Sequence, residues 1–423
     1  MRRRSLVSAF LLLALGLTVL SPLSGGDWPA WRGARGDGIV DQGPLPERWP
    51  EEGLPTLWRR QLGAGFSGIT AAGGMLFTAY GDGDQEYCAA IDAETGREVW
   101  RQPLGASFLG GDPSGGPRAT PVVDEGRVYA VGSHGRLWSF DAATGKPLWD
   151  VDLLARFKAK KPMYGIASSP LIHEDLLLFN VGGPQGRSLV AFDKKTGTVR
   201  WTSADDPPAY STPVVREIAG RKQAVFFTAR GLVGADLASG AVLWRFDWET
   251  YDDANAMTPI VDGDRVFISS SSGALLIEVR QQEDGSLRAV EVWRNEDLPT
   301  DYSNLVLAGG HLYGVSGGAL FCVELATGKR RWEQPGFRVG SVLGFSNRKL
   351  VATEYECSLT LAELSPEGYK QRGRFTVFPR ARCITGPTVA GGRLFLRNEK
   401  EIIALKLSAE AAPSAAGGAP ATP

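Results

Sequence analysis

The sequence predicts an all-β fold, an eight-bladed β-propeller made of four-stranded antiparallel blades. Three observations predict it. A nine-residue phrase returns along the chain, as DAETGREVW (Asp92–Trp100), DAATGKPLW (Asp141–Trp149), DKKTGTVRW (Asp193–Trp201), DLASGAVLW (Asp236–Trp244) and ELATGKRRW (Glu324–Trp332). Its spacing is mostly roughly 40–50 residues, the period of a propeller blade. The chain of 423 residues, too long for most single domains unless it repeats, contains 53 Gly, 26 Pro and 12 Trp. That composition suits short strands, tight turns and regularly placed indoles.

Each copy of the phrase ends a similar passage. An inner strand opens on small polar residues and Pro, as in RATPVV (Arg118–Val123), SSPLI (Ser168–Ile172), STPVV (Ser211–Val215) and MTPIV (Met257–Val261). A turn leads to a β-branched or aromatic run such as RVYAVG or RVFISS, then to a third strand such as LWSFD. The phrase supplies the last hairpin and an outer strand carrying Trp. Its Gly permits the positive φ of a tight turn, and its Asp and Thr can bond nearby amides. The Trp can lie over the turn of a neighbouring blade and bury a large apolar area.

The passages run through Ser67–Leu104, Ala119–Leu153, Ala167–Ser203, Ser211–Asp247, Met257–Asn295, Asn304–Pro335 and Ser341–Phe378. The fifth replaces the phrase with a longer hairpin ending at Trp293, and the seventh lacks Trp. Ile384–Leu407 offers only three strands. The missing outer strand is expected at the other end of the chain, in LPTLWRRQLG (Leu54–Gly63), so that an N-terminal strand closes the last blade and removes open sheet edges. Seven blades is the alternative, if the degenerate copy is not a full blade. The predicted Trp clasps are Trp58, Trp100, Trp149, Trp201, Trp244, Trp293 and Trp332.

The flanks read differently. Arg2–Arg4, an apolar run over Leu6–Leu20 and small residues before Asp27 predict a cleaved signal peptide over residues 1–26, and a periplasmic or secreted protein. No other segment could span a bilayer, and no Cys near the cut suggests a lipid anchor. Residues 27–53, rich in Gly, Pro and Trp, are expected to wrap the surface or plug one end of the propeller (54–407). Residues 408–423, rich in Ala, Pro and Gly, are expected to be a disordered tail. A net charge of −1 gives no reason to expect nucleic acid. Cys88, Cys322, Cys357 and Cys383 form no C-x-x-C pair; export permits a disulfide, and spacing leaves the pairing open.

In a propeller, the residues just before each inner strand line one mouth of the central channel. Those positions hold Phe66, Arg118, Tyr164, Tyr210, Asn255, Tyr302, Arg338 and Arg382. Three Arg with several Tyr would suit an anionic planar or sugar-like ligand. Other clusters are weaker. Asp82, Asp84 and Glu86 offer too few regularly spaced oxygens for calcium. Asp252 and Asp253 could include a general base near the mouth. His134, His173 and His311 lie near no Ser or Cys pattern, so a hydrolase triad is not supported.

The blade pattern ALD-x-x-TG-x-x-x-W resembles the PQQ-like β-propeller repeat of the quinoprotein alcohol dehydrogenases and the BamB-type outer-membrane assembly factor. The match covers roughly Leu54–Leu407. The opening DWPAWRGARGDG (Asp27–Gly38) resembles exported bacterial repeat proteins whose mature chains begin W-P-x-W-R-G. In the dehydrogenases the resemblance implies PQQ in the funnel with Ca²⁺, a cap formed by a disulfide between adjacent cysteines, and a catalytic Asp. This chain has no adjacent Cys pair, and none of those ligands transfers onto a matching residue. The repeat is the scaffold of the blade rather than the holder of a quinone. The expectation is a binding or scaffolding propeller with a ligand or protein partner at the channel mouth and no cofactor. The alternatives are a PQQ- and calcium-dependent dehydrogenase of alcohols or sugars, and a polypeptide-binding assembly factor.

Overall fold

Each repeated phrase folds as a hairpin turn because its own side chains satisfy it. Asp92 Oδ1 accepts from Thr95 N at 2.8 Å and from Thr95 Oγ1 at 2.7 Å, and Asp141, Asp193 and Asp236 repeat the arrangement with Thr144, Thr196 and Ser239. The Thr95 bonds hold the Asp92 carboxyl below the usual range. The next residue turns the chain at positive φ, 71° at both Gly96 and Gly145.

The computed structural model describes residues 26–41, 45–109, 115–250, 253–300 and 302–407. The expected signal peptide, apart from Gly26, and the expected tail lie outside the described residues. Eight sheets of four antiparallel strands stand in a ring. Blade 1 pairs Thr70–Ala72, Met75–Asp82, Gln85–Asp92 and Glu98–Ala106 in chain order, and blades 2 to 6 repeat this order. The copy without Trp is a full blade 7, with strands Gly340–Phe345, Lys349–Glu354, Ser358–Glu363 and Gln371–Thr376, so the seven-blade alternative falls. A short strand, Ile39–Val40, adds to it in parallel. Blade 8 contains Thr388–Ala390, Arg393–Arg397 and Glu401–Lys406; its remaining strand, Thr56–Gln61, pairs antiparallel with Glu401–Lys406. Among the described residues the one helix is Leu153–Phe157, capped by Asp152.

The outer strands carry a register shift beside the indole, as at Thr56/Trp58, Ala90/Ile91, Pro147/Trp149, Gly234/Ala235 and Cys322/Val323. Such a bulge re-aims the side chain at that point. Most indoles reach the next blade. The Nε1–H of Trp58, Trp100, Trp149, Trp201, Trp293 and Trp332 donates to the carbonyls of Ala93, Ala142, Lys194, Leu237, Leu325 and Ser365, at 2.9–3.1 Å. The first five rings press on the turn glycines: a Cβ on Gly96, Gly145, Gly197, Gly240 or Gly328 would come within 2.5–2.8 Å of the facing indole. Trp244 differs. Blade 5 has no copy of the phrase, and Trp244 donates instead to Gln223 of its own blade.

Apolar layers form between blades. Tyr129 and Val131 of blade 2 pack in one cluster with Leu177 and Phe179 of blade 3, and Val225 and Phe227 of blade 4 share another with Val266 and Ile268 of blade 5. A second set of contacts staples the inner strands around the channel. Gly68 N donates to Thr120 Oγ1, Thr120 N to Ser169 Oγ, Ser169 N to Thr212 Oγ1 and Thr258 N to Asn304 Oδ1, at 2.9–3.1 Å. The small polar residues that open the inner strands are therefore blade-to-blade acceptors.

The segment from Asp27 to Gly38 crosses the channel at the far ends of these strands. Trp28 bridges Ala71 of blade 1, Pro29 O accepts from Val123 N of blade 2, and Arg35 O accepts from Arg216 of blade 4. Arg32 is buried and donates to Leu305 O of blade 6 and to Asp37 O. Burial pushes its guanidinium down to about 10.

Candidate functional site

The first residues of the inner strands and the loops before them surround a cavity of about 470 Å³ at one mouth of the channel. Its wall includes Phe66, Arg118, Tyr164, Tyr210, Tyr302, Tyr355 and Arg382; deeper in lie Thr120, Ser169, Thr212 and Asn304 of the blade staples. Trp31, from the segment that crosses the channel, also lines it, and its Nε1–H donates to Thr258 Oγ1 at 3.1 Å.

Two kinds of wall face each other. On the side of blades 8, 1 and 2, the guanidiniums of Arg118 and Arg382 lie 5.7 and 5.6 Å from the ring centre of Phe66. Arg118 also lies 5.1 Å from the Phe108 ring and donates to Gly116 O, while Arg382 pairs with Glu399 at 3.1 Å. Such stacking holds a guanidinium in place against an aromatic face. Before blades 3 and 4, the Tyr164 and Tyr210 rings are 5.8 Å apart, and Tyr210 Oη accepts from Tyr164 N at 3.3 Å.

Six of the eight residues expected at the mouth line the cavity; two do not. Asn255 is buried, and its amide donates to Thr228 O at 2.8 Å while its own carbonyl accepts from Tyr210 N, so it braces the Tyr210 loop from behind. Arg338 is exposed, pairs with Glu356 at 2.7 Å and lies 5.4 Å from the Tyr355 ring. The bond to Glu356 raises its pKa. Both corrections have one cause. The loops differ in length, so a fixed offset from the inner strand does not always meet the channel. Trp31 and Tyr355 were missed because neither precedes an inner strand.

Glu86 and Asp82 of the first acidic cluster find separate partners. Glu86 is buried and accepts from Phe108 N at 3.1 Å and Ser133 N at 2.8 Å, joining blades 1 and 2; burial raises its pKa. Asp82 pairs with Arg101 at 3.1 Å. Tyr251 and Asp252 lie outside the described residues.

A disulfide braces the mouth. Cys357, in a blade 7 hairpin, bonds Cys383, in the segment leading to blade 8, with Cα atoms 4.9 Å apart. Their neighbours Tyr355 and Arg382 line the cavity, and Cys383 N donates to Tyr355 O at 2.8 Å. Cys88 and Cys322 are free and buried. Closing a loop of sequence separation 26 removes about 3.5 kcal/mol of unfolded-chain entropy. Urea unfolding of the Cys357→Ser/Cys383→Ser variant should show a loss of that order. A thiol reagent should find almost nothing in the native protein and only Cys88 and Cys322 in the denatured, unreduced one.

Among the described residues no group of His, Cys, Asp and Glu could hold a metal ion, and none of those that line the cavity carries a carboxylate. The arginines suit the carboxylates of a quinone such as PQQ, but these residues supply no acidic ligand for its calcium partner. The described lining residues alone do not supply what a calcium–quinone pair would need.

A family model described as outer membrane protein assembly factor BamB matches residues 54–155 and 85–334. BamB from Moraxella catarrhalis is similar in structure, with 16% identity, a TM-score of 0.59, and coverage of 84% of this chain and 99% of that one. So is the quinohemoprotein alcohol dehydrogenase ADHIIG from Pseudomonas putida HK5, with 13% identity, a TM-score of 0.65, and coverage of 94% and 83%. The computationally designed Ika8 protein matches with 10% identity, a TM-score of 0.55, and coverage of 83% and 98%. At such identities the likeness concerns the fold. No curated protein matches the chain.

Proposed function

Because this chain belongs to the PQQ-like propeller family described as outer membrane protein assembly factor BamB, we propose that it is an exported binding propeller that takes a carboxylate-bearing ligand at its channel mouth. The observation that supports this reading is the wall itself: Arg118 and Arg382 flank Phe66 on one side, tyrosines stand on the other, and the described lining residues include no carboxylate. Arg clamps a carboxylate, and Tyr and Trp faces suit a flat or sugar-like body. The Cys357–Cys383 disulfide and the expected signal peptide support export. Among the described residues no helix is long and apolar enough to cross a membrane. N-terminal sequencing of exported protein should begin at Asp27.

The binding test uses Trp fluorescence and calorimetry with oligogalacturonate, phthalate, and PQQ with and without Ca²⁺. A hydrogen-bonded charge contributes about 1.5–3 kcal/mol, so Arg118→Ala and Arg382→Ala should each weaken anion binding by at least about tenfold. Absence of any anion binding overturns the reading. Saturable PQQ binding that requires Ca²⁺ and supports dye-linked alcohol oxidation would replace it with the dehydrogenase reading.

A further inference from the structure

One residue of the cavity comes from outside the blades. Trp31 belongs to the segment that crosses the far end of the channel, yet it lines the mouth cavity. Its Nε1–H reaches Thr258 Oγ1 of blade 5 at 3.1 Å. A Cβ on Gly68 of blade 1 would sit 3.3 Å from its ring. Blades 1 and 5 stand opposite each other in a ring of eight. The indole therefore spans the channel from one wall to the other.

The blades make room for it. At the level of the staples, blades 2 to 7 carry Thr120, Ser169, Thr212, Thr258, Asn304 and Ser341, and blades 8 and 1 carry Gly386 and Gly68. Neither glycine has a positive φ, so the backbone does not require them. They are small where the indole lies. Beyond it is a second cavity of about 30 Å³. Trp31 and Asn304 line both cavities, whereas Ser341 and Gly386 line only the smaller one. The indole is the partition between them. Its segment is anchored without it. Trp28 exchanges two backbone bonds with Ala71, both at 2.8 Å, Pro29 O accepts from Val123 N at 2.8 Å, and the buried Arg32 donates to Leu305 O.

We propose that Trp31 closes the channel, so that the mouth cavity is a blind site whose ligand enters and leaves on one side and stops at the indole. The ligand is then a compact anion held within the mouth cavity, not a chain threaded through the propeller. The stop rests on the carboxylate ligand proposed above; the closure does not.

The test uses the full chain, whose free thiols Cys88 and Cys322 are buried, and methyl methanethiosulfonate, a small neutral thiol reagent. Ser341→Cys places a thiol beyond the indole, and Ala167→Cys places one in the mouth cavity. Ser341→Cys should react at least about tenfold more slowly than Ala167→Cys, because a thiol reacts only where the reagent reaches it. Adding Trp31→Ala should speed Ser341→Cys at least about tenfold and leave Ala167→Cys unchanged, while Trp31→Phe, which keeps a ring in the channel, should hold the rate low. Equal rates at the two positions with Trp31 in place, or a Ser341→Cys rate indifferent to Trp31→Ala, would overturn the closure. The first comparison decides it even where Trp31→Ala does not fold. A second arm uses protein labelled with fluorotryptophan and fluorine NMR, with the Trp31 resonance identified by its loss in Trp31→Phe. Saturating phthalate should shift that resonance. Bound phthalate that leaves it unmoved would overturn the stop. Phthalate that does not bind would count against the carboxylate reading and the stop together, and the thiol rates would still decide the closure.

Discussion

Arg397→Ala should lower the unfolding free energy by about 3–5 kcal/mol, among the largest losses expected from any single substitution in this protein. Arg397 is 1% exposed, at the end of the second strand of blade 8. Among the described residues its guanidinium pairs with no carboxylate. It donates to the carbonyls of Asn398, Ser67, Ala79, Gly63 and Gly65 and to Thr78 Oγ1, at 2.7–3.3 Å. Burial pushes its pKa down to about 9, so it remains charged at neutral pH. Most of the acceptors belong to the chain leading into blade 1 and to its second strand. The side chain therefore ties blade 8 to blade 1, and removing it leaves several buried carbonyls without a donor. Arg397→Lys should recover little, because one ammonium cannot reach acceptors spread around a planar fork. Urea unfolding followed by Trp fluorescence measures the loss; a change under about 1 kcal/mol for Arg397→Ala would refute this role.

Removing the chain before Gly63 should abolish soluble monomer. Thr56–Gln61 covers Glu401–Lys406, and without it that strand presents an open edge of N–H and C=O groups. The truncation also removes Trp58, which is 7% exposed and reaches Ala93 of blade 1. Trp58→Ala alone should cost about 3–5 kcal/mol by leaving a cavity. We propose that this strand closes the ring. A synthetic peptide spanning Leu54–Gly63, added during refolding of the truncated chain, should restore a monomer by size-exclusion chromatography. A truncated chain that is monomeric and as stable as the full chain would remove the N-terminal strand from that role.

The two expectations rest on different kinds of information. The Trp58 strand was legible because it is an orphan of a repeat: Trp58 sits where the other outer strands carry Trp, and Ile384–Leu407 lacks one. Arg397 was not legible. In GRLFLRN it reads as a polar residue ending a strand, and nothing local shows that the carbonyls around Ser67 converge on it. The same limit applied to Cys357 and Cys383, whose pairing depends on how blade 7 meets blade 8. It applied to Asn255 and Arg338 as well, which bond to Thr228 and Glu356 and do not line the cavity.

The sequence by itself determined the blade. An Asp–Thr–Gly turn satisfies its own hydrogen bonds within a few residues, so its structure follows from local chemistry wherever the phrase occurs. It also determined that arginines and tyrosines would collect at one mouth, because the repeat assigns those positions to the start of inner strands. The tertiary structure decided what lies between repeats: the stapling of Gly68 to Thr120 and onward, the burial of Arg397, and the Trp31 contact across the channel. Each requires groups far apart in the chain to come within a few ångströms, and that distance depends on the closure of the whole ring rather than on any one turn.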